Sequence, residues 1–200
     1  MRIPLNMKKS GVDLYSLSGH KIHGPKGIGA LVLAKNVRVQ NINFGGGQEG
    51  GLRNGTENVP GIAGLGQAIR SYRKLGNTQS IMLPLKQRLA QQVLAAIPDA
   101  KINGDIDCGA AHVLNITFPV KGEVLLHALE GAGVMCSTGS ACASHKKSAS
   151  HVLTAMGVSN AEIDGALRFS LCPFNTMEEM DETAKHIARN VDMLRRFKRR

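Results

Sequence analysis

Tryptophan is absent, and aromatic residues make up only 4% of the 200-residue chain. Proteins that grip nucleic acid usually interleave basic residues with stacking aromatics on one surface. This scarcity therefore disfavours direct nucleic-acid binding, despite a formal net charge of +10. Part of that charge is local, because Arg195-Arg196-Phe197-Lys198-Arg199-Arg200 carries five cations. It reads as a solvated helix end favoured by the helix dipole. Cysteine is also sparse: Cys108, Cys136, Cys142 and Cys172 show neither CxxC nor Cys/His metal spacing. No metal site or disulfide framework is expected, and a reduced, cytoplasmic setting is. No stretch approaches the roughly 20 apolar residues of a membrane span, and Met1-Arg2-Ile3-Pro4-Leu5-Asn6 does not read as a secretory leader. There is no internal repeat and no low-complexity segment. What is present is a hydrophobic content of 42%, enough for a packed core in one or two domains.

Three blocks carry candidate chemistry. Ser18-Gly19-His20-Lys21, followed by Ile22-His23-Gly24-Pro25-Lys26-Gly27, sets a lysine among a hydroxyl, an imidazole and glycines. A lysine that binds a phosphorylated cofactor needs such a setting, with a positioned amine, donors for phosphate and a backbone that permits close approach. A solvated turn before a strand fits the same residues. Ser137-Thr138-Gly139-Ser140-Ala141-Cys142-Ala143-Ser144, with His145, Lys146 and Lys147 beyond, sets a cysteine in a small-residue, electropositive loop. That environment favours a reactive thiolate, although a linker that happens to contain a cysteine has the same composition. Gly45-Gly46-Gly47-Gln48-Glu49-Gly50-Gly51-Leu52-Arg53-Asn54-Gly55-Thr56-Glu57-Asn58 has the glycines and donors of an anion-binding loop, or of a flexible linker. Cys108, Cys136 and Cys172 read as structural or incidental, by the usual bias of cysteine to burial.

Together, and in this order, the blocks resemble the class V aminotransferase-like cysteine desulfurases. The Cys142 loop is similar to that of the branch with the longer catalytic loop, the housekeeping and nitrogen-fixation-associated type. The resemblance covers essentially the whole chain, extending through His151-Val152-Leu153, Met156-Gly157 and Arg168-Phe169-Ser170-Leu171. It implies a fold that is α/β and α+β, the C-terminal part of a fold-type I pyridoxal-phosphate-dependent transferase. By resemblance, Lys21 binds pyridoxal 5'-phosphate and shuttles protons, and Ser18 and His20 hold its phosphate. Thr56 matches a threonine that reaches the phosphate of the partner subunit, implying a homodimer. Cys142 takes sulfur from L-cysteine as a persulfide, leaving L-alanine, and Arg168 holds the substrate carboxylate. The sulfur then passes to an acceptor protein, either an iron–sulfur scaffold or a transfer-RNA-thiolation enzyme. One departure is Cys172-Pro173, where relatives often carry glycine and arginine.

Members of that family are about twice as long. The family's aspartate for the pyridine nitrogen, its ring-stacking histidine and its phosphate-binding Gly-Thr turn come from an upstream half, and none has a counterpart here. The expectation is a C-terminal half, a desulfurase by descent that does not act alone. The alternative is a non-catalytic partner-docking module, or a remnant, that keeps the small domain.

The organisation expected is a large-domain remnant with its connecting helix over residues 1–75, and a small α+β domain over 76–200. Strands are expected at 12–18 and 28–34, then a helix over 62–75 that tolerates Gly64 and Gly66 where it packs closely. A further helix over 83–97 has Leu85, Leu89, Val93 and Ile97 on one face. Residues 112–118 alternate as a strand, 123–129 form a short helix, and 135–137 a short strand into the cysteine loop. Ser159 with Glu162, and Thr176 with Glu179, have capping-box spacing. The last helix carries Met180, Ala184, Ile187, Val191 and Leu194 as a core or interface stripe.

Overall fold

A hairpin and a helix organise the first part of the chain. The computed structural model describes residues 3, 5–139 and 150–198. After a short α1 (Met7–Ser10), β1 (Leu14–Ser18) pairs antiparallel with β2 (Gly29–Leu33), placing Leu14 opposite Leu33 and Ser18 opposite Gly29. The pair needs glycine at 29, where a Cβ would lie 2.4 Å from the Leu17 carbonyl oxygen. Helix α2 (Val59–Lys74) begins where Asn58 Oδ1 accepts the Gly61 N–H at 3.0 Å, with Pro60 in the first turn. Gly64 does allow close packing, since a Cβ there would lie 2.5 Å from Pro25 Cγ. Gly66 does not, because a Cβ there meets only the flexible Arg70 guanidinium, at 3.6 Å. The core of this part is small: Ile22, Leu65, Ala68 and Tyr72.

The chain divides into the units Met1–Thr78 and Gln79–Arg200. Helix α3 (Thr78–Ala96) starts five residues before the expected Leu83 and runs through Pro84. The early turns persist because Thr78 and Met82 are buried, so tertiary packing overrides the local preference for a boundary before proline. The anticipated stripe Leu85, Leu89, Val93 and Ile97 is buried.

Strands β3 (Lys101–Ile102), β4 (Val113–Thr117) and β5 (Ala166–Ser170) form an antiparallel sheet in that order. Period-2 alternation turns Leu114, Ile116, Leu167 and Phe169 into the core and places Asn115 and Arg168 on the other face. Helices α4 (Gly122–Gly131) and α7 (Met177–Lys198) pack with this core, to which α7 contributes Met180, Ala184, Ile187 and Val191. Leu194 packs against it partly buried.

Between α4 and α7 lie the short helices α5 (His151–Ala155) and α6 (Asn160–Asp164). The Ser159/Glu162 box forms at the start of α6, with both reciprocal bonds present. The Thr176/Glu179 bonds form at the start of α7, at 3.0 and 3.2 Å. The expected strand at 135–137 reduces to one bridge, Ser137 to Arg168.

Candidate functional site

Within Met1–Thr78, the lysine turn is a one-turn 3-10 helix over Gly19–Ile22, entered directly from β1. The Gly19 N–H donates to the Ile28 carbonyl at 2.9 Å, which folds the turn back onto the strand that follows. Gly19 is buried, and a Cβ there would lie 2.9 Å from Ile28 Cγ2. Only glycine permits so tight a fold. Ile22 plugs the small core, leaving His20 and Lys21 exposed on the outside of the turn. Ser18 occupies the N-cap position, yet its hydroxyl makes no capping bond. Lys21 has no ion pair among the described residues. A hydroxyl, an imidazole and an amine thus stand within four residues with their polar atoms available.

Thr56 is exposed in the irregular stretch that precedes α2. Asn54, a residue that motif reading leaves without a role, holds that stretch in place. The residue is buried, with only 8% exposed. Its Oδ1 accepts the Gly47 N–H at 2.7 Å, and its Nδ2 donates to the Asn43 carbonyl at 2.5 Å. Gln48 Oε1 accepts the Gly55 N–H at 3.1 Å. These bonds close the glycine loop, whose Gly47, Gly50, Gly51 and Gly55 all have positive φ. The signal was an asparagine embedded in a glycine block, a residue type that bonds backbone in turns.

Within Gln79–Arg200, Arg168 sits centrally on β5, opposite Asn115 on one side and Ser137 on the other. The Arg168 N–H donates to the Ser137 carbonyl at 2.7 Å, and the Ser137 N–H donates back at 3.1 Å. Ser137 begins the segment that leads to Cys142, so the structure brings the stem of the cysteine loop to Arg168. Cys142 itself lies outside the described residues. Arg168 Nε is buried and has no hydrogen-bond partner among the described residues. A buried, unsatisfied guanidinium nitrogen favours an acceptor such as a carboxylate. Asn103, just after β3, donates from Nδ2 to Asn115 Oδ1 at 2.7 Å and to Thr117 Oγ1 at 2.9 Å on the adjacent strand β4, which fixes the side chain of Asn115 opposite Arg168.

The remaining cysteines divide by environment. Burial, with the Glu130 charge adding, pushes the Cys136 thiol up to about 11, so it stays protonated and unreactive near neutrality. Cys172 is half-buried. Cys108 departs from the usual burial of cysteine and is exposed, on a turn whose Asp105 Oδ1 accepts the Asp107 and Cys108 N–H groups at 2.7 and 2.6 Å. At the C-terminal helix, Arg195 pairs with Asp99, and Arg196 with Asp192, so part of the basic tail is neutralised. No helix among the described residues is long and apolar enough to cross a membrane.

The model of the aminotransferase class-V family matches residues 1–183. The chain is 44% identical over 196 residues to a cysteine desulfurase of Nostoc sp. (strain PCC 7120 / SAG 25.82 / UTEX 2576), covering 97% of this chain and 49% of that protein. It is 43% identical over 195 residues to the cysteine desulfurase IscS of Methanosarcina thermophila, covering 96% and 48%. Among solved structures, a NifS-like protein superposes with a TM-score of 0.84 at 36% identity, covering 96% of this chain and 50% of the other. A NifS-like protein from Rickettsia africae superposes at 0.82 and 31% identity, covering 96% and 51%. The mixed helix-and-sheet fold is shared with these neighbours. The chain spans about half the length of the curated relatives it matches.

Proposed function

Because the chain belongs to the aminotransferase class-V family, we propose that it carries reacting groups of a cysteine desulfurase, which converts L-cysteine to L-alanine and keeps the sulfur as a persulfide. The observation that carries this reading is the buried Arg168 Nε, unpartnered among the described residues, on the strand that anchors the stem of the Cys142 loop. A carboxylate grip beside a cysteine loop suits an amino-acid substrate whose sulfur must be handed to a thiol.

Pyridoxal 5'-phosphate fits the lysine turn. Ser18 and His20 would hold its phosphate, with Thr56 reaching the phosphate of a partner subunit in a homodimer, and Lys21 would take its aldehyde end. When bound, the cofactor supplies the electron sink that lets the carbon–sulfur bond break. The chain's own groups do the rest. Arg168 orients the substrate through its carboxylate. Lys21, exposed and without an ion pair among the described residues, holds and returns the proton at the substrate carbon. Cys142 accepts the sulfur and forms the persulfide, from which the sulfur passes to an acceptor protein. The acceptor would be an iron–sulfur scaffold or a transfer-RNA-thiolation enzyme.

A second reading, a partner-docking module without catalysis of its own, is favoured by one observation. The larger hydrophobic core lies wholly within Gln79–Arg200, the unit that carries the Cys142 loop.

Purified chain is mixed with pyridoxal phosphate, reduced with borohydride and digested for peptide mass spectrometry, while alanine release from cysteine is assayed. The desulfurase reading expects an adduct at Lys21 that disappears in Lys21→Ala, and alanine release that disappears in Cys142→Ala. A Lys21 adduct without alanine release leaves cofactor binding but removes independent catalysis. A folded sample without a specific adduct rejects the cofactor role of Lys21.

A further inference from the structure

Two residues after Lys21, the backbone takes a conformation that a residue with a side chain rarely adopts. His23 has φ 60°, and among the described non-glycine residues only Glu49 shares a positive φ. Such a conformation persists when its surroundings over-determine it.

Here α2 does so. Gly64, Ala68 and Tyr72, spaced one helical turn apart, face Pro25, Gly24 and His23 in succession. A Cβ on Gly64 would lie 2.5 Å from Pro25 Cγ, and a Cβ on Gly24 would lie 3.3 Å from the Ala68 Cβ. Tyr72 Oη stands 3.0 Å from His23 Nδ1, and the two rings stack with centroids 5.8 Å apart at 23°. Tyr72 is only 2% exposed, so its ring is held by the core while its hydroxyl reaches the turn. The His23 and Gly24 N–H groups both return to the Gly19 carbonyl, which closes the turn around His20 and Lys21.

We propose that Tyr72 and His23 are positioning residues for Lys21. The phenol donates to Nδ1 of an imidazole protonated on Nε2, pinning the left-handed residue two places beyond the lysine. Lys21 is exposed and has no ion pair among the described residues, so the backbone turn, rather than a side-chain partner, aims its amine. This inference rests on the reading of Lys21 as the cofactor-binding lysine. It adds a helix-borne residue, 51 positions away, that sets where the amine points.

The test uses the full chain and two readouts. One is the ratio of borohydride-trapped pyridoxal phosphate at Lys21 to that at the exposed Lys26 in the same sample. The other is hydrogen exchange at the Gly24 amide. In Tyr72→Phe, which keeps the ring and removes only the hydroxyl, the trapping ratio should fall and Gly24 exchange should accelerate. Each should change by about threefold to tenfold, the population factor of a hydrogen bond of this class. His23→Ala should do the same, and His23→Asn, which accepts a hydrogen bond and tolerates left-handed φ, should recover part of the loss. Because His23 is exposed, these variants stay informative if Tyr72→Phe proves unstable by circular dichroism. A wild-type chain that traps no more cofactor at Lys21 than at Lys26 overturns the cofactor reading, and this inference with it. A wild-type preference for Lys21 that survives unchanged in Tyr72→Phe and His23→Ala overturns the positioning inference alone.

Discussion

The two units keep their shape by different means. Gln79–Arg200 gathers three strands and the long α3 and α7 around a continuous apolar core, in which Leu89, Leu125, Leu167 and Ile187 are almost fully removed from water. Met1–Thr78 has four buried hydrophobic residues in its core and exposes much of the rest. Leu31 and Val32, on opposite faces of β2, are 54% and 40% exposed, and Ile42 and Phe44 reach 84% and 89%. The hydrophobic effect scales with area removed from water, so it cannot dominate there. Geometry takes over: glycines at points of close approach, the Asn54 bonds and the Tyr72–His23 contact. One unit is held by burial, the other by backbone chemistry.

Deleting core volume should separate the two most sharply. Ile187→Ala leaves a cavity in the core and should destabilise Gln79–Arg200 by about 2–5 kcal/mol. Denaturant unfolding followed by hydrogen exchange should show that loss in β4 and β5, with protection of β1 and β2 unchanged. Parallel loss in both units would break the comparison.

Next in size is Gly29→Ala, whose new Cβ would meet the Leu17 carbonyl oxygen at 2.4 Å. It should cost about 1–3 kcal/mol in the hairpin, read as faster exchange at the Leu17 and Ala30 amides. No change there would mean that the hairpin has slack the structure does not show.

A smaller effect is electrostatic. The Lys101 ammonium, reinforced by Ser159, holds the Glu162 carboxyl down at about 2. A depressed folded-state value means that this contribution is fully present above the ordinary carboxylate range. It is lost as pH falls from about 4.5 toward about 2. Glu162→Gln should therefore flatten the pH dependence of the melting temperature of Gln79–Arg200 across that window and leave its value near neutrality little changed, since the pair is exposed. A slope identical to wild type would remove Glu162 from acid stability.

The smallest expected change in stability is Phe44→Ser, within about 0.5 kcal/mol for an exposed side chain. It sharpens the contrast through solubility, because one fewer exposed aromatic should raise the concentration at which light scattering appears.

Much of this was legible in the residues. The strands of the first hairpin, α2, the strand β4 and both capping boxes follow from alternation, helical spacing and cap chemistry, all of which act over a few residues. The same locality explains the misses. Pro84 marks a boundary by local rules, but burial of Thr78 and Met82 carries α3 past it. The segment 135–137 has strand character, yet among the described residues only Ser137 of it forms a bridge, because pairing depends on what lies opposite. Cys108 was grouped with buried cysteines by composition and lies instead on an exposed turn.

The candidate site divides along the same line. Ser18, His20, Lys21, Thr56, Cys142 and Arg168 are candidates that short motifs and the family resemblance single out. Asn54, Ser137, His23 and Tyr72 are not singled out, because each acts through a partner from 7 to 49 residues away. By itself, the sequence determined which groups could react and the periodic elements that carry them, since residue type and spacing are local properties. Tertiary structure alone decided that Arg168 would bridge Ser137 and that Tyr72 would meet His23. Those contacts exist only after the chain has folded back on itself and distant residues share one face.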